Sequence, residues 1–358
     1  ELKALYDQKH LAIVQGVGYP NPDRSHFESM DIWQLADPKR GQSNGWLART
    51  IPGMNVNEAG VPGMFIGTER LPLAMQGAEG GVISLADRES FHLKLTGNEK
   101  PRKKLLEDLN SSDDANADLT AFVRKRQLQT YTSLKKIEEA LKEVGKPDEQ
   151  PQRVRPGRPQ GGNDNLSSLN GKLSLIGRLI NNGLGTRLYY ASIAGFDTHS
   201  GQADQHAELL AEVSSAIGGF FNALGGNKHR VVLATYSEFG RRVKENGSRG
   251  TDHGAASCMF VAGPQVIGGL VGKHPKLDDL TDGDLKYQID FRSVYASLLD
   301  DWLGVESRGV LGDKFPALKL VDARYKLAPP EAAPKAVGPK AKGKTGPTPP
   351  PEPSPEPR

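Results

Sequence analysis

Val231-Val-Leu-Ala-Thr-Tyr236 is a near-continuous apolar run, the pattern of a strand buried on both faces of a parallel sheet. On its N-terminal side a helix is predicted over about 203–224, where Leu210, Val213, Ile217, Phe221 and Leu224 recur at i, i+3 and i+4. Before that helix, Arg187-Leu-Tyr-Tyr-Ala-Ser-Ile193 reads as another strand. A helix over Leu169–Asn182 precedes it and gives way at Gly183 and Gly185. Ser257-Cys-Met-Phe-Val-Ala-Gly263 supplies one more strand, and 291–303 a final helix. Strands alternating with helices in this order predict an α/β fold built on an open, doubly wound or mixed sheet.

Upstream, residues 1–9 read as helix and Leu11-Ala-Ile-Val-Gln15 as a short buried strand. A Gly/Pro-rich loop leads to Ser25, a good N-cap for a helix through Trp33, with Glu28 three residues on completing a capping box. Residues 46–95 mix short apolar runs with glycines and prolines and read as loops and strands near a site. From about 100 to 146 the chain turns charged while Leu119, Phe122, Leu134, Ile137, Leu141 and Val144 keep roughly helical spacing. The division expected is therefore an α/β domain over 1–326, carrying a charged helical insertion and connector at about 96–160. A Pro/Lys-rich tail over 327–358 has too little apolar bulk to offset its ordering entropy and is expected to be disordered.

With 37% hydrophobic residues, 41 glycines and 25 prolines, the chain has the composition of a globular protein with many turns. Lys and Arg (46) nearly balance Asp and Glu (43), and a net charge of +3 argues against nucleic acid as a partner. Cys258 is the only cysteine, which excludes a disulfide framework and Cys-rich metal sites; inside its apolar run it reads as an inert core residue. No apolar run approaches the ~18 residues of a membrane span. The chain opens at Glu1 without an initiator Met or an apolar leader, the expectation being a removed leader or a fragment.

In open α/β sheets, ligands bind beyond the carboxyl ends of strands, so the segments there carry the search for chemistry. Gly195-Phe-Asp197-Thr-His199, with Gln202 and His206 further on, follows the 187–193 strand. Ser237-Glu238-Phe-Gly-Arg241 follows the 231–236 strand, and Gly250-Thr-Asp252-His253-Gly254 precedes the strand at 257. Nitrogen and oxygen donors of this kind suit zinc, manganese or magnesium. Each residue also has a plainer reading. Asp197 can cap the following helix, His206 shares a face with Leu210, Val213 and Ile217 as a core histidine would, and Glu238 with Arg241 can be a structural ion pair. Ser25 can be no more than the helix cap.

These segments, together with Pro22-Asp-Arg-Ser-His-Phe27, resemble an uncharacterised bacterial family, domain of unknown function 1501. That family is placed in the alkaline-phosphatase-like superfamily with sulfatases and cofactor-independent phosphoglycerate mutases. The resemblance runs from about residue 5 to 325. It implies an alkaline-phosphatase-like, mostly parallel sheet flanked by helices, lacking its N-terminal strand and the early Asp carried there. It also implies two divalent metals flanking a nucleophile. By order along the chain, Asp197, His199, Glu238 and His253 are candidate metal residues, with Asp252 and His206 in the same segments as further candidates, and Ser25 falls where the nucleophile belongs, beside His26. Arg241 or Arg24 would clamp an anion. Phe239 stands where the superfamily has a histidine ligand, so one metal position is intact and the other compromised. The closing Asp290–Gly304 stretch is similar to the last helix of sulfatases.

The expected function is a metal-dependent hydrolase of phosphate or sulfate esters, acting on a small-molecule or polymeric anionic substrate. A family habit of twin-arginine export implies an extracytoplasmic location. Two alternatives stand beside it: a non-catalytic member that binds a carbohydrate or cell-surface polymer with the tail as tether, and a phosphomutase-like transferase needing a complete two-metal site.

Overall fold

The computed structural model describes residues 1–54, 61–78, 81–86, 137 and 166–325. The expected insertion, apart from Ile137, the connector and the tail lie outside these residues. Ile137 is buried among the side chains of one core face.

Helix α1 (Leu2–Asp7) leads into β1 (Leu11–Gly18), α2 (His26–Leu35) and the short α3 (Trp46–Thr50). Then come β2 (Gly63–Ile66), β3 (Val82–Leu85), α4 (Leu169–Asn181), β4 (Leu188–Ala191) and α5 (Gln202–Leu224). The C-terminal part carries β5 (Leu233–Ala234), β6 (Ser257–Ala262), β7 (Gly269–Val271), and the pair β8 (Leu280–Thr281) and β9 (Asp284–Leu285). Finally β10 (Ile289–Asp290) runs directly into α6 (Phe291–Ser297), a π-helical turn over Leu298–Leu303, and α7 (Ser307–Leu311).

The strands form a five-stranded sheet, in which β10 and β7 flank one edge of β1 and β6 and β5 follow on the other, and a three-stranded parallel sheet ordered β3-β2-β4. Side-chain alternation unites them, because successive strand residues point to opposite faces. Ala12, Val14, Phe65, Leu188, Met259 and Val261 face one core, which α2, α3 and α6 cover with Trp33, Trp46, Phe291 and Tyr295. Leu11, Met64, Ile66, Leu85 and Ala262 face the other, covered by α4 and α5 through Leu173, Ile176, Val213, Ile217 and Phe220. The result is a three-layer α/β arrangement. The two sheets meet where the Tyr190 and Tyr236 hydroxyls hydrogen-bond at 2.7 Å.

Four of the six ladders in these two sheets are parallel, as a mostly parallel sheet requires, but β6 runs antiparallel to both of its neighbours, β1 and β5. The reason lies in the connection: a parallel return needs a crossover, usually helical, and residues 235–256 contain no helix. Of the apolar run at 231–236, only Leu233 and Ala234 enter the ladder. The helix over 46–50 falls inside a stretch read as loops and strands. Cys258 is exposed: Met259 and Val261 take the buried face, and the start of β6 is uncovered on the other. The capping box at α2 does not form. Ser25 holds the N-cap position without a side-chain cap bond, and Glu28 turns away to pair with Arg40.

Candidate metal centre

The antiparallel run of β6 explains how the site assembles. Val17, at the carboxyl end of β1, pairs with Ser257 at the start of β6, so the segment before β6 lies beside the segment after β1. The loops following β4 and β5 reach the same edge. Residues 240–242 pair with 252–255 as an extension of the sheet, through an Arg241–His253 bridge and the bonds Gly240 N–H to Ala255 and Arg242 N–H to Asp252. Glycines permit this closeness. A Cβ on Gly240 would lie 1.9 Å from the Ala256 carbonyl oxygen, and one on Gly250 would lie 2.2 Å from the His199 carbonyl carbon.

Asp197 is the centre. Its Oδ1 lies 2.9 Å from His199 Nε2, 3.0 Å from His253 Nε2 and 2.8 Å from Arg241 Nη1, while Oδ2 lies 3.1 Å from His26 Nε2. Burial works to raise the Asp197 pKa, but hydrogen bonds from Arg241, His253 and His26 outweigh it and hold the carboxyl far below the usual carboxylate range. For His26, burial pulls downward, and Glu238 and Asp197 together push the pKa above its ordinary value.

The far nitrogens are as telling. His26 Nδ1 is 2.7 Å from Glu238 Oε1, His199 Nδ1 is 3.2 Å from Asp252 Oδ1, and His253 Nδ1 is 2.7 Å from the Arg24 carbonyl oxygen. The outer carbonyl or carboxylate only accepts, and so does ionised Asp197, so a neutral ring can donate to just one of its two partners; with the proton on Nδ1, Nε2 is left as a ligand atom for a cation standing between it and Asp197. His199 and His253 then bring two such nitrogens within 2.9 Å of each other. Bare lone pairs cannot face each other so closely; a shared proton or a cation resolves the arrangement. His26, Asp197 and His253 offer ligand atoms all within 4.8 Å of one another and can hold a metal ion. The donor set, imidazole nitrogens aimed by outer acceptors around one carboxylate, is of the kind that holds a metal ion.

Asp197, His199 and His253 thus come together as their strand-end positions suggest, and Asp197 does not cap α5, whose N-cap is Gly201. His26, grouped with Ser25 as a catalytic candidate, stands among the potential ligands. Glu238 and Asp252 do not face the centre; they hold His26 and His199 from outside. Nor does Glu238 pair with Arg241. Three donors of Arg241 go to Asp197, the Thr251 hydroxyl and the Thr251 carbonyl, which commits the side chain to the scaffold more than to a ligand. His206 lies away from the cluster, its ring edge-on to Phe196 and half-buried, neither ligand nor full core residue. Phe239 is buried, with ring centroids 5.0 Å from His26 and 4.5 Å from His253, so it forms the floor of the site.

Two supports were not visible beforehand. Arg24 contributes its main-chain carbonyl, and Asn246 Nδ2 bonds both the His199 carbonyl and Asp252 Oδ1, each at 3.0 Å. His26 itself was findable, because Pro22–Phe27 follows a strand as the other site segments do.

Fold and site define an α/β protein with a carboxylate-centred cluster of three histidines at a sheet edge. Residues 12–309 match the family described as protein of unknown function (DUF1501), and the chain belongs to that family. No curated protein and no solved structure matches it. Among the described residues no helix is long and apolar enough to cross a membrane.

Proposed function

We propose that the protein is a metal-dependent hydrolase of phosphate or sulfate esters, with its centre at His26, Asp197 and His253. One observation carries this reading: three imidazoles, each held at Nδ1 by an acceptor, turn Nε2 toward a single carboxylate. Such outer-layer orientation is the hallmark of histidines that ligate metals. The reading includes an alkaline-phosphatase-like sheet and an extracytoplasmic site of action, both implied by the family resemblance. A cluster beyond the carboxyl ends of β1, β4 and β5 is consistent with that sheet.

A zinc, manganese or magnesium ion bound there supplies a Lewis acid for an ester oxygen. The chain's own residues do the rest. Glu238 accepts from His26 Nδ1, which would leave Nε2, facing Asp197, as the atom that ligates the metal. Arg241 ties the 251 loop to Asp197 and offsets part of its charge. Ser25 stands at the start of α2 with its hydroxyl free of any cap bond, and the unsatisfied amides of that first turn favour an anion beside it. Ser25 is therefore the candidate nucleophile. In the net reaction the oxygen of water ends on phosphorus or sulfur, and a water proton ends on the departing alcohol. With Phe239 filling one ligand position, a single metal is expected.

A second reading has its own observation. Phe27, adjacent to His26, is 85% exposed, an aromatic face suited to stacking on a sugar ring. It favours a member that keeps the cluster but binds a carbohydrate or cell-surface polymer without turnover. Metal analysis of the full chain, with assays on an aryl phosphate and an aryl sulfate, separates the two. The hydrolase reading expects about one equivalent of metal per chain. It also expects release of the aryl alcohol that stops on chelation and in His253→Ala. Less than about a tenth of an equivalent after incubation with zinc or manganese overturns it. Full metal loading without turnover of either ester, combined with retention on a polysaccharide matrix, selects the second.

A further inference from the structure

One buried carboxylate lies outside the cluster. β8 and β9 pair Leu280 with Leu285 and Thr281 with Asp284, leaving Asp282 and Gly283 for the turn. Both have positive φ, 53° and 86°, the two-residue turn whose twist matches the strands. The hairpin sets Asp284 inward, where it is 3% exposed. Its Oδ2 accepts a hydrogen bond from the Arg24 guanidinium. Its Oδ1 has no hydrogen-bond partner and faces Arg242 Nε at 3.5 Å. A carboxylate this far from water is tolerated only while both guanidiniums stay beside it.

Each of those arginines helps to hold His253. The Arg24 main-chain carbonyl accepts the His253 Nδ1–H at 2.7 Å. The Arg242 N–H donates to the Asp252 carbonyl at 3.0 Å, and its neighbour Arg241 bridges to His253. One buried carboxylate therefore spans the two backbone segments between which this imidazole is gripped. We propose that Asp284 is a positioning residue of the metal centre, clamping Arg24 and Arg242 so that His253 keeps its Nδ1 hydrogen bond and one aim. Its consequence for metal affinity rests on the metal-centre reading; its consequence for His253 holds in the metal-free protein.

The test uses the full chain and Asp284→Asn. NMR of the histidine ring nitrogens in metal-stripped protein is expected to report a hydrogen-bonded proton on His253 Nδ1 in the wild type. In the variant that bond should be weakened and the Nδ1 signal should shift, with His206 unchanged as the sign that the effect is local. Zinc affinity, measured by competition with a chromophoric chelator, is expected to fall about tenfold, the low end of the range for residues behind the ligands. A folded Asp284→Asn chain with wild-type His253 nitrogens and affinity overturns the proposal. Should that variant fail to fold, Arg24→Gln, at a side chain 40% exposed, breaks the same clamp and leaves the carbonyl in place; an unchanged His253 there also overturns it. If the wild type binds no zinc, the metal-centre reading falls and the Nδ1 signal of His253 alone decides the role of Asp284.

Discussion

Gly250→Ala should damage the centre without altering any residue that faces it. No positive φ bars a side chain at Gly250, so the effect is purely one of space. The added Cβ would lie 2.2 Å from the His199 carbonyl carbon and 2.3 Å from its oxygen, against 3.4 Å for ordinary contact. The two segments must part by roughly 1 Å, the overpacking case that costs about 1–3 kcal/mol. The bonds joining 198–202 to 246–251 are strained in the same movement: Asn246 to the His199 carbonyl at 3.0 Å, Gln202 N–H to Arg249 at 2.9 Å and Thr251 N–H to Thr198 at 3.3 Å. Losing one adds about 1 kcal/mol. Together these give about 2–4 kcal/mol, which for a domain of this size lowers Tm by about 3–6 °C. His199 Nε2 moves with its backbone, so zinc affinity should fall about tenfold. Gly247→Ala, at an exposed position with nothing within 4 Å of the new Cβ, is the control and should stay within about 0.5 kcal/mol of wild type. Thermal unfolding of the metal-free chain and chelator competition measure both effects. A Gly250→Ala chain with wild-type Tm and wild-type affinity would refute the packing argument.

The remaining expectations concern the cluster and the core beneath it. Chelator competition should rank His26→Ala well below Glu238→Gln in zinc affinity, with Glu238→Gln itself about tenfold below wild type, since one removes a ligand and the other its support; equal affinities would return His26 to a purely catalytic role. Asp197 and His26 set opposite pH limits in the metal-free chain. The lowered Asp197 pKa contributes stability above the usual 3.8 that fades as pH falls through the depressed value, and the raised His26 pKa contributes below 6.5 and fades as pH rises through the raised value. Both side chains are more than a third exposed, so each contribution is small. Asp197→Asn should bring the His26 pKa back toward 6.5 in an NMR titration, and zinc affinity of the wild type should rise with pH until His26 is neutral. Trp33, 2% exposed and stacked 4.3 Å from Phe291, should cost about 3–5 kcal/mol as Trp33→Ala in denaturant unfolding; a cost under about 1 kcal/mol would mean that this aromatic layer is not the core.

The helical parts were largely legible. The apolar stripe over 203–224 matches α5, and Leu169–Asn182 matches α4 within a residue, because a stripe at helical spacing declares both length and face. Strand direction was not legible. Val231–Tyr236 carries the composition of a parallel strand, yet composition records burial on two faces and says nothing of how the chain returns. The site divided along the same line. Asp197, His199 and His253 could be picked out by position at strand ends, but assigning ligands by order along the chain put Glu238 among them and left His26 out. Order cannot register that Phe239 fills the space under His26 and His253 while Glu238 reaches the far nitrogen of His26. Asp282-Gly283, a strong hairpin signal between polar residues, announces the turn that delivers Asp284 and needed only the local reading.

The separations within the cluster bear on how the protein folds. His253 meets Asp197 across 56 residues, Glu238 meets His26 across 212, and the Arg24 carbonyl meets His253 across 229. Only the Asp197–His199 pair and the turn joining Arg241 to His253 are local; the whole constellation cannot form in one stretch of nascent chain. Contacts so distant in sequence are made late, after loop closure has been paid for by the helices and sheet on either side. On the proposed reading, a metal bound there would not seed folding. It would meet a finished edge and fasten the two ends of the domain to each other, so that it would retard unfolding more than speed folding.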